Sequence, residues 1–383
     1  MATCGKWAPY WRAACWGLAL LAALSGSGRA EVVVAQVAPM SGPIGVEGTV
    51  YNSGIRIALA AANSAGGVTG SALRLHTVDD QYNPDKTVAA ILALKQTEVV
   101  ALLLPVGSPA LSKILAEKVL ESVGIPVIGV VPGAEPFRKP HHANLYHIRA
   151  GDVDQYRKIV EHSLTVGLKR IAVVYVDIPF GKSGLAIVEG LLKSHNMEPA
   201  ARAAIALTGS ESLKTSIQAV SLASADMVLL ISPAKRAGEF VAAAREHGLR
   251  APINTLSYGN ADTICSVASA EKARGVGLAQ VFPNIRNRGL RVVREYQADL
   301  ARFGEKDAKP SLMQFEGYIA ARVLIEALRG AGRAPSRARL TQALDSLRNL
   351  DLGGFVIDFA PGKHTGSNYV DLSIIGRDCQ LVY

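Results

Sequence analysis

From residue 31 onward, short apolar runs alternate with helix-like stretches, and no other property of the chain restricts its possible folds so sharply. The runs EVVVAQVA (31–38), LRLHTVDD (73–80), VVALLLP (99–105) and GIPVIGVV (124–131) are rich in Val, Ile and Leu. Near-continuous apolar runs of this length are strands covered on both faces, the condition of a parallel sheet flanked by helices. Between them, Ile55, Ala58, Leu59 and Ala62 share one helical face, and Gly66 and Gly67 supply an exit because glycine accepts left-handed backbone angles. A second helix opens at NPD, with Asn83 placed to cap it and Pro84 at its first position. A third is predicted over 109–123.

The same rhythm restarts after NLYHIRAGD, with KRIAVVYVD (169–177), ADMVLLIS (225–232) and APINTLSYG (251–259). Strands alternating with helices imply parallel sheets joined by right-handed crossovers. A single core stops growing efficiently at about 250–300 residues, so a chain of 383 residues with 49% apolar and 19% charged composition is expected to build two core-bearing lobes. The expected class is therefore α/β, with two doubly wound parallel-sheet lobes. The stretch 146–152 reads as extended chain and suits a hinge strand between them, with further crossings at 274–283 and 352–359.

The first thirty residues differ from the rest. They carry Lys6, Arg12 and Arg29 and no acid, and their apolar run AACWGLALLAAL (13–24) is shorter than the roughly 20 residues that a membrane span needs. Basic start, short apolar core and small-residue exit are the pattern of an export signal, with cleavage expected before Glu31. Its removal lowers the formal charge from +9 to +6. Lys and Arg are scattered without a basic run interleaved with aromatics, which argues against a nucleic-acid partner. Cys4 and Cys15 leave with the signal, so Cys265 and Cys379 remain, and in an oxidising compartment they could pair or stay free.

Enzyme signatures are weak. FGKSG (180–184) contains Gly-Lys-Ser, but a phosphate-binding loop needs a glycine where Val176 stands. Gly275 and Gly277 lack the third glycine of a dinucleotide fingerprint. His141, His142 and His147 have no Cys or acid at ligand spacing, so no metal is expected. Asp79 and Asp80 are adjacent on extended chain and point opposite ways, so they cannot share a proton. What remains is a set of loops at the carboxyl ends of the predicted strands, where open α/β sheets bind ligands. APMSGPIGVEG (38–48), PVGSPALS (105–112), VVPGAEP (130–136), VDIPFGKS, SPAKRAGE and SYGNADT fall in register across both lobes. In the second of these, Gly107 leads into Ser108, whose hydroxyl and neighbouring helix-start amides suit a carboxylate.

APMSGPIGVEG before GIRIALAAANSAGGVTG, then VDDQYNPDKTV, GSPA, GIPVIGVVPGAE and RIAVVYVDIPFGKSG stand in one order and spacing. In that order and spacing the chain resembles the extracytoplasmic solute-binding proteins of branched-chain amino acid ABC importers, the type I periplasmic binding proteins. The resemblance implies three strand crossings between the lobes. It divides the chain into a leader (1–30), a first lobe (31–148 and 282–352) and a second lobe (149–281 and 353–383). It implies a cleft between the lobes that hinge motion closes on ligand. Ser108 would then bind a ligand carboxylate, and the loop carrying Val131, Pro132 and Gly133 would supply backbone groups. Phe180 would cover the ligand from the second lobe, while the loops around Ala234 and around Ser257 and Tyr258 would face its side chain or ammonium. In the first wall, Ser41 is expected to bring backbone close to the ligand, and Glu47 either to touch a polar group on it or to face solvent.

Three positions depart from the family pattern. Pro132 replaces a common threonine, Glu47 replaces an aromatic of the leucine/isoleucine/valine binders, and no acid in TLSYGNA offers itself to an ammonium. The implied function is capture of a small carboxylate-bearing solute, an amino acid or a related organic acid, amide or aromatic compound, by a periplasmic monomer serving an ABC permease in the inner membrane. No chemistry and no cofactor are required. A periplasmic sensor passing its signal to a membrane receptor is the alternative.

Overall fold

The computed structural model describes Met1 and residues 31–383. The expected export signal lies outside the described residues, apart from Met1. Among the described residues, no helix is long and apolar enough to cross a membrane.

The first sheet contains β1 (Glu31–Ala38), β2 (Ala72–Asp79), β3 (Val99–Leu103), β4 (Val127–Ile128) and β5 (Leu145–Tyr146), all parallel, in the order β2-β1-β3-β4-β5. The second contains β6 (Ile171–Val176), β7 (Ala201–Ile205), β8 (Met227–Ile231), β9 (Ile253–Thr255) and β10 (Gly277–Gln280), again parallel. A short antiparallel pair follows, β11 (Leu350–Asp351) with β12 (Val356–Ile357). The chain then closes the second sheet with β13 (Asp371–Ile375), antiparallel to β10, and β14 (Leu381–Val382), giving the order β14-β13-β10-β9-β8-β6-β7. Central strands β3 and β8 are buried at every position. Helices therefore cover both faces, and the α/β class with two doubly wound lobes is what the chain adopts.

Local structure follows the predicted signals with two differences. Asn83 accepts hydrogen bonds from the amides of Asp85 and Lys86 ahead of the Pro84–Ala93 helix, as its position predicts. The predicted helix over 109–123 is two helices, Ser108–Ala116 and Val119–Val123, because Lys118 adopts a left-handed backbone angle between them. The loop APMSGPIGVEG is shorter than it reads, since Gly45 already begins the Gly45–Ser64 helix.

That helix crosses the Leu312–Ala331 helix with backbones in contact. A Cβ on Gly54 would lie 1.9 Å from the Gln314 carbonyl oxygen, and one on Gly317 would lie 2.2 Å from that of Tyr51. The reciprocal pair of glycines lets the two helices bring Glu47, Tyr51, Met313 and Glu316 into one region of the first lobe.

The lobes meet at three crossings. His147 pairs with Thr365, its amide donating to the His364 carbonyl while its own carbonyl accepts from Gly366, so the first and third crossings lie side by side. The second passes from Leu278, in the core of the second lobe, to Val281 and Phe282, in that of the first. Phe355, Ile357 and Phe359 also pack in the first core, beyond residue 352, where the sequence reading ends that lobe. Cys265 and Cys379 form a disulfide, with Cα atoms 6.1 Å apart, that ties the Ala261–Ala268 helix to the turn between β13 and β14.

Gly54→Ala is expected to destabilise the protein by about 1–3 kcal/mol through overpacking at the helix crossing. Urea denaturation measures this, and an unchanged midpoint would mean that the helices separate freely enough to admit a methyl group.

Candidate functional site

Eight stretches of chain build a pocket between the lobes. On the first-lobe side, Ile44, Glu47 and Tyr51 follow one another at helical spacing, so the start of the Gly45–Ser64 helix presents all three to the same space. Gly107 has φ of 104° and turns the chain into the Ser108–Ala116 helix, leaving Ser108 at the first helical position. A Cβ on Gly107 would lie 2.7 Å from the Tyr82 ring, which packs there as part of the wall. Val131 and Pro132 follow β4, and Met313 comes from the start of the Leu312–Ala331 helix. The second lobe contributes Ile178 and Phe180 at the Pro179–Ser194 helix, Pro233 after β8, and Tyr258 after β9. The space between these walls, including the part open to solvent, is about 550 Å³.

The wall is mostly apolar and aromatic, as small-molecule sites commonly are. Phe180 and Tyr258 meet edge to face with ring centroids 4.9 Å apart. Among the described residues no lysine, arginine or histidine lines the pocket. Two residues of its wall each carry a buried polar atom without a hydrogen-bond partner, Ser108 Oγ and Glu47 Oε1. Burial raises the Glu47 pKa above the ordinary carboxylic-acid value, against the opposing pull of a backbone hydrogen bond and of Lys235. Burial also pushes the Tyr82 hydroxyl up to about 12.

Behind Tyr258 lies a buried polar network that sets its position. The Tyr258 hydroxyl donates to Asp152 Oδ1 at 2.6 Å and accepts from the Gly133 amide at 2.8 Å, joining the two lobes at one oxygen. Burial raises the Asp152 pKa, although the Tyr258 hydrogen bond and the charges of Arg149 and Arg138 favour its ionised form. Arg149 is fully buried, and its Nη1 donates to both Glu316 oxygens at 3.1 and 3.2 Å. Its Nη2 reaches Ser257 Oγ, and its guanidinium carbon stands 4.5 Å from the Tyr258 ring centroid. Arg138 donates to the Gly133 carbonyl at 3.1 Å, to the Arg149 carbonyl at 3.2 Å and to Thr365 Oγ1 at 3.2 Å, so it touches the first and third crossings together.

Of the positions expected from sequence, the structure brings Glu47, Gly107, Ser108, Val131, Pro132, Phe180 and Tyr258 to the pocket wall. Three stand elsewhere. Ser41 is exposed, and its hydroxyl donates to Asp79 Oδ2 at 2.7 Å, fastening the loop after β1 to the end of β2. Ser257 is turned to Arg149, and Gly133 uses its amide on Tyr258. Pro233 represents the loop around Ala234, which is itself buried. The alternative in which Glu47 faces solvent is excluded, since it is only 6% exposed.

Sequence reasoning misses Ile44, Tyr51, Tyr82, Val106, Ile178, Pro233 and Met313 on the wall, and Arg149, Asp152 and Glu316 behind it. The spacing from Ile44 through Glu47 to Tyr51 was a usable signal, hidden by reading Gly45–Gly48 as loop.

The chain has clear relatives. A family described as periplasmic binding protein matches residues 31–374. An extracellular ligand-binding receptor from Verminephrobacter eiseniae is 33% identical, with 92% of this chain and 100% of that chain covered and a TM-score of 0.86. A substrate-binding periplasmic protein from Ralstonia solanacearum is 30% identical over 92% and 99% of the two chains, with a TM-score of 0.87. A branched-chain amino acid ABC transporter protein from Thermus thermophilus with bound valine shares the fold at 17% identity, with 93% and 95% covered and a TM-score of 0.82. No curated protein matches the chain.

Glu316→Gln leaves Arg149 buried without its anion and is expected to destabilise the protein by about 3–5 kcal/mol, whereas replacing both by apolar residues (Arg149→Met with Glu316→Leu) recovers most of the loss. Chemical denaturation of the two variants checks this. Equal losses in both would show that the pair matters for more than the compensation of charge.

Proposed function

Because the chain belongs to the type I periplasmic binding proteins, a family of solute-binding proteins rather than enzymes, we propose that it captures a small carboxylate-bearing solute in the periplasm and delivers it to an ABC permease in the inner membrane. The observation that carries this reading is Ser108. Its hydroxyl is buried and unpartnered, and the residue lines a pocket bounded by both lobes, at the first position of a nine-residue helix. The first amides of a helix have no intrahelical partner, and the positive end of the helix dipole lies there. The hydroxyl with the amides of Ser108 and Ala110, Pro109 having none, would form a receptor for a carboxylate. The apolar remainder of the wall receives the body of the solute, with Phe180 and Tyr258 covering it from the second lobe. Micromolar capture corresponds to about −8 kcal/mol, which a charge-assisted hydrogen-bond set and an enclosed apolar contact can supply after the cost of closure.

The hinge reading rests on the three crossings. We take the first lobe as residues 31–148 with 282–359, following the packing of Phe355, Ile357 and Phe359, and the second as 149–281 with 360–383. Closure would turn on these crossings, with Tyr258 and Phe180 brought over the solute.

A thermal-shift screen of amino acids, aliphatic acids and aromatic acids tests the reading, since a compound that binds only the folded form raises the melting temperature by mass action. Stabilising compounds should carry a carboxylate, and a panel without any such compound would remove the proposal. For a compound found this way, Ser108→Ala should weaken binding by about 1–3 kcal/mol in calorimetry, and unchanged affinity would take Ser108 out of the site. Uptake of the same compound, labelled, should fall in a strain lacking the protein, and normal uptake would argue against a transport role.

A further inference from the structure

Glu47 is the one acid on a pocket wall that otherwise offers hydroxyls and apolar surface. It sits in the first turn of the Gly45–Ser64 helix, 6% exposed, with Oε1 buried and unpartnered. Tyr51 and Tyr82 lie close enough to feel its charge, and Lys235 from the second lobe acts on it only at long range. A buried carboxyl oxygen without a donor is costly, and the cost is removed when a ligand brings a donor to it. Ser108 and Glu47 therefore demand different things of one molecule. The helix start takes an anion, and the carboxyl takes an N–H or O–H.

We propose that Glu47 is the specificity-determining residue of the pocket, and that the site takes small acids whose apolar body carries a second group, an amine or a hydroxyl, donating a hydrogen bond to the Glu47 carboxyl. This rests on the solute-binding reading above and narrows it. A site built around a buried hydrogen-bonding group discriminates strongly against an analogue lacking the matching group, because the protein atom is then desolvated without a partner. A plain aliphatic or aromatic monocarboxylate leaves Glu47 in that condition. An ammonium pairs with the ionised carboxylate, and a hydroxyl is accepted by it in either protonation state.

Matched pairs of probes test this by calorimetry on the purified protein: phenylalanine against phenylpropanoate, leucine against isocaproate, and para-hydroxybenzoate against benzoate. In the unmodified protein the donor-bearing member of at least one pair is expected to bind about tenfold or more tightly than its partner. Glu47→Ala should bring the two members of that pair to within about threefold of each other by the same reasoning. Glu47→Gln separates the two donor classes, because its amide oxygen still accepts from a hydroxyl but no longer offers a charge to an ammonium. Equal binding within every pair, or a preference that survives Glu47→Ala, overturns the inference while leaving the solute-binding reading in place. If none of these probes binds, the inference is overturned for acids of their size, and the small-acid reading stands or falls by the wider thermal-shift panel. The comparison within pairs needs no variant, so a poorly folded Glu47→Ala protein does not remove the test.

Discussion

Arg149 and Glu316 form a buried ion pair at the point where the lobes join, and the geometry of the pocket depends on it. Taking two charges out of water is expensive, and their mutual attraction compensates only when further hydrogen bonds satisfy them. Here one guanidinium nitrogen meets both carboxylate oxygens, a second reaches Ser257, and the ring of Tyr258 lies against the cation. One side chain on the first crossing thus fixes the long helix of the first lobe and the Tyr258 loop of the second in a single arrangement.

From that anchor the remaining contacts follow in order. Asp152 holds the Tyr258 hydroxyl, the Gly133 amide meets the same oxygen, and Arg138 secures the Gly133 carbonyl against two crossings. Tyr258, Asp152 and Gly133 thereby satisfy one another across the interface, although Arg149 Nε beside them has no partner. Ser108 and Glu47, standing apart from this network, keep buried oxygens unpaired. On the proposed reading the network holds the walls in place, and the oxygens of Ser108 and Glu47 are those a guest would satisfy.

The fold was largely legible in the sequence because strands covered on both faces must be apolar throughout, and β3 and β8 show that composition directly. Capping at Asn83 was legible for the same kind of reason, since an amide acceptor before Pro84 has one obvious use. Local signals misled where glycine was ambiguous. Gly45 and Gly48 look like loop residues, yet Gly48 is needed inside the helix, where a Cβ would lie 1.7 Å from the Pro39 carbonyl oxygen. At the site, Ser108 could be found from its place at a helix start. Ser41, with a similar local setting, is drawn to Asp79 by a contact that no local pattern announces. The ion pair joins residues 167 positions apart, and a buried Arg in an extended stretch reads like any other cation until its partner is placed.

The disulfide between Cys265 and Cys379 joins residues 114 positions apart, and much of the chain between them packs in the core of the first lobe rather than beside the two cysteines. It includes the second and third crossings and the whole Leu312–Ala331 helix, whose side chains fill the core of the first lobe. A protease that nicks the backbone once anywhere between the two sulfurs would therefore leave the pieces covalently tethered. The stretch of chain that crosses into the first core and returns is thus a closed loop with no free end.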